Sequence, residues 1–573
     1  MKRLGLIIAA LLLAFAPAAA ERKALILFVQ FQDLKFSSSY EQFSSMADSL
    51  GIYFNDQFHG SQVFSFTRGP VITIGENHAV YGANGTSGSD VQMYRAVIQA
   101  CQAATDSLNL KEFINPPSAE LRDLLIMVPG RSETDSLDTE LFRPQFTAMT
   151  GGNPYAGGCR IACYGLACEL DAGGCFNGIG TMAHEYCHIL GLSDLYDTDG
   201  NGSGGTSKAL WGSLSIMDGG NGNGGGHYPP NFSAAEHYTL GTGKGEKIDT
   251  AGTYTLEPIG EQGRYFIFEG QRKGEVFLAE SRIERGWDTL IGGHGMVIYH
   301  YDRSSGDALW SDWEGRTLTA AERWEKNRVN CNPAHQCVQL EAPDTLSAFF
   351  PHGASDGFAS ETTPAFRYWD GSISPLAISG ISQAPDGTVT FKLSRPIGSI
   401  RVTPYQNSVT VGWKCDPEIA GIDSCKVVCT KGADTLAVKM GALAEDGIWN
   451  CTIEKLSPAT TYRVTIHIMK GGSPFFSAGT SASTLPSRRG SFPFIYLKGA
   501  ERHADGSFFS GTRIPLQVFN APKAVETVWY FNGVMIEAGP DGLFTIPGSG
   551  TLKAEILRED GSRDCIVKEI TVR

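Results

Sequence analysis

Positive charge is in short supply in this chain: 47 lysines and arginines stand against 61 aspartates and glutamates, a formal net charge of −14. No basic cluster offsets that balance, so nucleic acid is not expected as a partner. After the first twenty residues the chain also lacks any apolar run long enough to cross a bilayer. The residue after Ala20 is Glu21 and not cysteine, which argues against a lipid anchor. Among Cys159, Cys163, Cys168 and Cys175 there is no CxxC pair, the spacing a four-cysteine structural zinc site would favour.

What the chain does have at its start is the form of an export signal. Lys2 and Arg3 precede an apolar stretch from Leu4 to Phe15, and Ala18-Ala19-Ala20 offers a small-residue cleavage site. Loss of Lys2 and Arg3 would take the charge from −14 to −16. The expected location is therefore extracellular, periplasmic or at the cell surface. Thirteen cysteines in an exported chain point to disulfides, and the odd number leaves at least one thiol unpaired in a monomer. Cys159, Cys163, Cys168 and Cys175 are candidates for two bridges, with a four-cysteine zinc site as the alternative. Cys331 with Cys337 suits a small loop, and Cys415, Cys425, Cys429 and Cys451 suit pairing within their own domain. Cys187 reads as core or bridge.

The most informative run is TMAHEYCHILGLSDLYD, an HExxH core extended to HExxHxxGxxD. Read as a helix from Gly178 to Leu190, it places His184 and His188 one turn apart on one face, where both imidazoles can reach one metal ion. Glu185 is turned away from direct ligation, in the position of a general base for a water molecule. A catalytic zinc site takes three protein ligands, so a third is required. Gly191 can end the helix in a left-handed conformation and return the chain, which makes Asp194 the third-ligand candidate. Asp197 is the rival carboxylate. The turn WGSLSIMDGG follows, with Met217 near its end.

Composition shifts divide the chain. Residues 1–20 form the signal; 21–250 alternate strand-like and helix-like segments and end near the loop GGNGNGGGHYPP; 251–395 read as a β-rich extension packed on the preceding domain, with a helical stretch near Leu318 to Asn327. Residues 397–486 resemble a fibronectin type III module, with Trp413 in an early strand and Tyr462 placed for a corner. A short linker at 485–490 leads to 491–573, which suggest another immunoglobulin-like sandwich.

HEYCHILGLSDLYD followed by SIMD resembles the immune inhibitor A-like family of secreted bacterial metalloproteases, metzincin-like zinc peptidases. KALILFVQFQD, YFNDQFHGSQVFSF, LLIMVPG, ESRIERGWD and GGHGMVIYHYD are similar to that family in order as well as in motif, over roughly residues 22–395. The resemblance implies an α+β fold: a zincin-like catalytic domain with a mixed sheet and an active-site helix, followed by the β-rich extension and two β-sandwich modules. It implies zinc on His184, His188 and Asp194, Glu185 as the base, and Met217 as the hydrophobic floor beneath the metal. Many metzincins carry a tyrosine two residues after this methionine. Here that position is Gly219, and Tyr228 and Tyr238 are the candidate replacements. Relatives commonly carry a pro-segment, whereas the family-like strand here begins at Ala24, so none is expected.

The run Asp197-Thr198-Asp199-Gly200-Asn201 resembles part of a calcium loop through Asp197, Asp199 and Asn201, and equally suits a plain turn; Lys208 stands where an EF-hand would need glutamate. The expected activity is zinc metalloendopeptidase, EC 3.4.24-type, acting on protein or peptide substrates, with host or cell-surface proteins as partners of the C-terminal modules. The alternatives are a non-catalytic secreted adhesin on a protease-like scaffold and, more weakly, a zinc hydrolase of non-peptide substrates.

Overall fold

The computed structural model describes residues 21–573 except 86–89, 91, 137, 152, 271, 307–309, 313, 487–492, 496, 498–499, 501, 504, 520, 522–523, 560 and 562. The expected signal, Met1–Ala20, and most of the 485–490 linker lie outside the described residues. The chain is mixed α/β, rich in strands and poor in helix, and falls into two compact units that divide between Arg395 and Pro396.

The first unit is organised by the apolar run Ala24–Val29, every residue of which is buried. A continuous run of this kind suits a strand covered on both faces. It forms β1 (Glu21–Gln30), followed by α1 (Tyr40–Phe58), β2 (Val63–Thr73), α2 (Met93–Ala104), β3 (Leu124–Arg131), β4 (Gln145–Ala148), β5 (Cys163–Leu170) and α3 (Gly180–Leu190). The sheet order is β2-β1-β3-β5-β4, with four parallel strands and β4 antiparallel at the edge. Alternation sends Ile26 and Phe28 to the face covered by α1 and α3, and Leu25, Leu27 and Val29 to the face covered by α2.

The core under α3 does not stop at residue 250. It takes in Leu278, Val297, Tyr299, Tyr301, Ala320, Trp324, Val338 and Phe349. All but Phe349, which follows the last of these strands, come from a second five-stranded sheet (Lys244–Lys247, Arg264–Glu269, Glu275–Arg282, Gly295–Asp302, Val338–Leu340) and from the helix Ala320–Glu325. Thr319 and Glu322 close that helix with a reciprocal capping box. Residues more than a hundred positions downstream therefore help to wall the metal-motif helix.

In the second unit, one four-stranded sheet holds Arg401–Pro404, Ser408–Trp413, Trp449–Glu454 and Ala442–Leu443, and another holds Asp434–Met440, Ser424–Lys431, Thr461–Lys470 and Ser473–Ser483. Trp413 is buried, and the buried Tyr462 accepts at its hydroxyl from the Ser457 N–H (2.8 Å) and donates to the Ser457 carbonyl (3.3 Å). The last four-stranded sheet holds Val534–Ile536, Ala524–Phe531, Gly550–Arg558 and Arg563–Ile570 around Trp529, Phe531 and Leu552.

All thirteen cysteines are free thiols in this structure. Cys163 and Cys168, five apart on β5, join opposite core clusters, so strand alternation separates their side chains. Cys187 is fully buried in the core. Cys415 and Cys425 stand with their Sγ atoms 3.9 Å apart. Among the described residues no helix is long and apolar enough to cross a membrane.

Candidate metal centre

Helix α3 is buried along nearly its whole length, so its polar residues are held and not solvated. Tyr186 donates to Asp123 (2.6 Å) and packs edge-on against Phe54 and Phe66, which sets the helix's rotation. Its depth against the sheet is set by Gly165 on β5. A Cβ there would come within 2.8 Å of Glu185 Cβ and 2.9 Å of Leu125 Cδ2. Glycine at 165 thus lets the helix sit close enough to present Glu185 under the edge strand. Gly191 (φ 110°) ends the helix in the left-handed region.

The structure brings His184, His188 and Asp194 together: Asp194 Oδ1 lies 3.1 Å from His184 Nε2 and 3.3 Å from His188 Nε2. Ligands about 2.0–2.2 Å from a tetrahedral metal stand about 3.3–3.5 Å apart, close to the separations of both histidines from Asp194. The tautomers follow from the outer bonds. His184 Nδ1 donates to the Ile216 carbonyl (2.7 Å) and His188 Nδ1 to the Leu192 carbonyl (2.9 Å). A carbonyl only accepts, so each Nε2 of a neutral ring turns a lone pair inward. Two imidazole lone pairs and a carboxylate oxygen converging in a buried space call for a positive charge among them. Asp194 Oδ1 and Glu185 Oε2 are both buried without a hydrogen-bond partner. The residues fit a zinc ion.

In the metal-free site, a proton on His184 answers the same convergence of acceptor atoms that a metal would. Burial disfavours the charged form of His184, yet its hydrogen bond to Asp194 and the charges of Glu185 and Asp194 hold it up at about 9. Burial also opposes ionisation of Asp194, but the two histidines facing its carboxylate, His184 first, keep it well below the usual carboxylate range. Glu185 is pushed up to about 7, chiefly by burial, with the histidines pulling the other way.

These residues open onto a cavity of about 420 Å³ lined also by Arg143, Phe146, Tyr196, Trp324 and Asn327. Asp197 stands outside the histidine cluster. Its Oδ1 accepts from the N–H groups of Asp199 and Gly200, its Oδ2 accepts from that of Ser207 (2.7 Å), and it gathers instead with Asp199 and Cys331. Asn201 is exposed on the same loop. Met217 is fully buried in the core, one residue after the carbonyl that holds His184, and its N–H donates to Ser215 Oγ (3.0 Å). Tyr228 lines a separate cavity of about 630 Å³ that contains none of the motif residues, and Tyr238 packs on Tyr301.

Three participants escaped sequence reasoning. Tyr196 lies two residues beyond Asp194 inside the quoted motif and lines its cavity. Burial, then the charges of Asp194 and Glu185, keep its phenol protonated well above the usual range. Glu236 accepts from Ser215 Oγ (2.6 Å) and the Met217 N–H (3.3 Å), bracing the turn that carries the Ile216 carbonyl. Asn327 contacts Asp194 directly. Only Tyr196 had a local signal, its place in LSDLYD.

Residues 158–245, which hold His184, Glu185, His188, Asp194 and Met217, match the family described as Immune inhibitor A peptidase M6, catalytic domain. That is a narrower span than the motif resemblance over 22–395. Immune inhibitor A of Bacillus thuringiensis subsp. alesti is 30% identical over 207 residues, covering 31% of this chain and 29% of the relative. The chain thus spans under a third of that relative's length. Among solved structures, the fn3 domain of human contactin 1 is 15% identical with a TM-score of 0.15, covering 20% of this chain and 89% of its own. A two-domain fibronectin type III segment of chicken tenascin is 10% identical with a TM-score of 0.15, covering 30% and 98%. Scores of that size decide nothing about fold. The sequence resemblance is decisive where it matters: the segment that carries the site is similar to the immune inhibitor A peptidase M6 catalytic domain.

Proposed function

We propose that this protein is an exported zinc metalloendopeptidase with a zincin-like catalytic domain, in which His184, His188 and Asp194 hold the metal and Glu185 is the general base. The observation that carries the reading is the triangle of ligand atoms with two inward lone pairs and an unpartnered carboxylate oxygen, beside an unpartnered Glu185. When bound there, zinc would supply Lewis acidity to a peptide carbonyl and make a nearby water more acidic. Glu185 Oε2 would take that water's proton and return it to the leaving amine. Strand β4 lies at the sheet edge beside the cavity, with outward backbone groups available to pair with an extended peptide. The Tyr196 hydroxyl, in place of Tyr228 or Tyr238, would donate to the developing oxyanion.

The domains read at 21–250 and 251–395 would act as one catalytic body, and the modules at 397–486 (fibronectin type III-like) and 491–573 (immunoglobulin-like) would engage extracellular or cell-surface proteins. Disulfides, Cys415–Cys425 among them, and a calcium ion on the Asp197–Asp199–Asn201 loop complete the proposal. The test is cleavage of unfolded casein by purified protein, beside Glu185→Ala and a chelator-treated sample. Cleavage lost in both controls is expected; no cleavage by a zinc-loaded parent would turn the reading toward a binding protein.

A further inference from the structure

Asp194 Oδ1 is presented to the two histidines while its other oxygen is occupied. Asn327 Nδ2 donates to Asp194 Oδ2 (2.7 Å), and the Asp194 N–H donates to Asn327 Oδ1 (2.8 Å). A backbone N–H can only donate, so the carboxamide orientation is determined: its oxygen must face the N–H and its NH₂ the carboxylate. One side chain therefore grips Asp194 at two points, main chain and carboxylate, and turning the carboxylate to offer Oδ2 instead would break the grip. Asn327 itself has φ 53°, a left-handed conformation that asparagine tolerates better than most residues. Around it, Ser193 Oγ donates to the Trp324 carbonyl (3.1 Å), Thr198 Oγ1 to the Asn327 carbonyl (2.8 Å), and Asn330 Nδ2 to the Leu195 carbonyl (2.8 Å). Trp324 Nε1 donates to the Asp302 carbonyl (2.9 Å), tying the gripping segment to the second sheet.

Resting on the zinc reading above, we propose that Asn327 is a positioning residue of the metal site: it aims Asp194 Oδ1 at the metal, and the segment 324–330 completes a site whose recognisable motif ends at residue 194. Outer partners of metal ligands contribute about 10–100-fold in metal affinity, by holding the ligand atom where the ion needs it. A clamp serving only loop stability would instead lower the melting temperature and leave affinity alone.

The experiment measures zinc affinity of the full chain by competition with a chromophoric chelator, alongside thermal melting of the metal-free protein. Asn327→Gly removes the carboxamide and tolerates the left-handed backbone. Asn327→Asp keeps the shape and the acceptor but sets an oxygen against Asp194 Oδ2. Ser193→Ala removes a neighbouring loop pin that does not touch the carboxylate. Both Asn327 variants are expected to lose about 10–100-fold in zinc affinity, with Ser193→Ala close to the parent. Affinity within about twofold of the parent in the Asn327 variants, or an equal loss in Ser193→Ala, would overturn the proposal. A parent that binds no zinc would instead overturn the metal reading itself, and the clamp's role with it.

Discussion

Among the described residues of the first unit, two sets of buried charge are built to opposite ends. Around His184, His188 and Asp194, ligand atoms face one another at 3.1 and 3.3 Å, and Asp194 Oδ1 and Glu185 Oε2 have no partner. Around Arg282 the protein supplies its own counter-charges: Arg282 reaches Asp288 at 2.7 Å and Glu280 at 3.2 Å, and Glu280 also accepts from Tyr299 (2.8 Å). The first set opens onto a cavity, whereas Arg282 is fully buried. Burial of charge alone does not mark a site. Lone pairs that converge with nothing from the protein between them do.

The sharpest way to break this comparison is His188→Ala. It should abolish tight zinc binding and lower proteolysis by well over 100-fold, more than loss of an outer partner costs, while metal-free stability changes little. Zinc retained by this variant, in metal analysis, would end the contrast. Arg282→Met should do the reverse. Leaving Glu280 and Asp288 uncompensated is expected to cost about 3–5 kcal/mol in denaturant unfolding, with His184, His188 and Asp194 themselves untouched.

A third buried set tests the same distinction through pH. His300 lies between Phe277 and Trp369 and donates to Glu275 (2.8 Å). Burial would lower its pKa, but hydrogen bonds to Glu275 and Glu341 raise it above the ordinary value. A raised folded pKa contributes stability that is fully present below the unfolded pKa, about 6.5, and is lost as pH rises through the folded value. The parent's melting-temperature advantage over His300→Gln should therefore be largest at acidic pH and shrink as pH rises; a constant gap would show that His300 acts by packing alone.

The smallest effect concerns the loop beyond Asp194. Asp197 is engaged by three backbone N–H groups, whereas Asp199 Oδ1 is buried and unpartnered. Asp197→Ala should leave zinc content unchanged and cost about 1 kcal/mol as a lost turn cap. Calcium added after chelation should raise the melting temperature slightly in the parent and not in Asp199→Ala, which separates a cation loop from a plain turn.

Much of this centre was legible because its geometry is local. Two histidines four apart on a helix face one ion in any fold that keeps the helix, and Gly191 announces where that helix ends. Motif spacing favoured Asp194 over Asp197 but could not show what separates them. Both acids lie in one loop, and hydrogen bonds to Ser207 and to Asn327 divide their roles. Tyr228 and Tyr238 could not be told from Tyr196 by sequence either, since only packing shows which ring lines the cavity. The mixed sheet was implied by the family resemblance, but the sharing of one core by strands from both sides of residue 250 leaves no mark in periodicity.

From the sequence came the helix, its two histidines, the glutamate beside the first of them and the return of the chain through glycine, since all of these depend on contacts within about two turns. The packed structure decided which carboxylate faces the histidines, which carbonyl holds the His184 ring and which distant asparagine holds Asp194. Those partners lie 32 residues from His184 and 133 from Asp194, and residues so far apart in sequence meet only where the packed cores bring their backbones together.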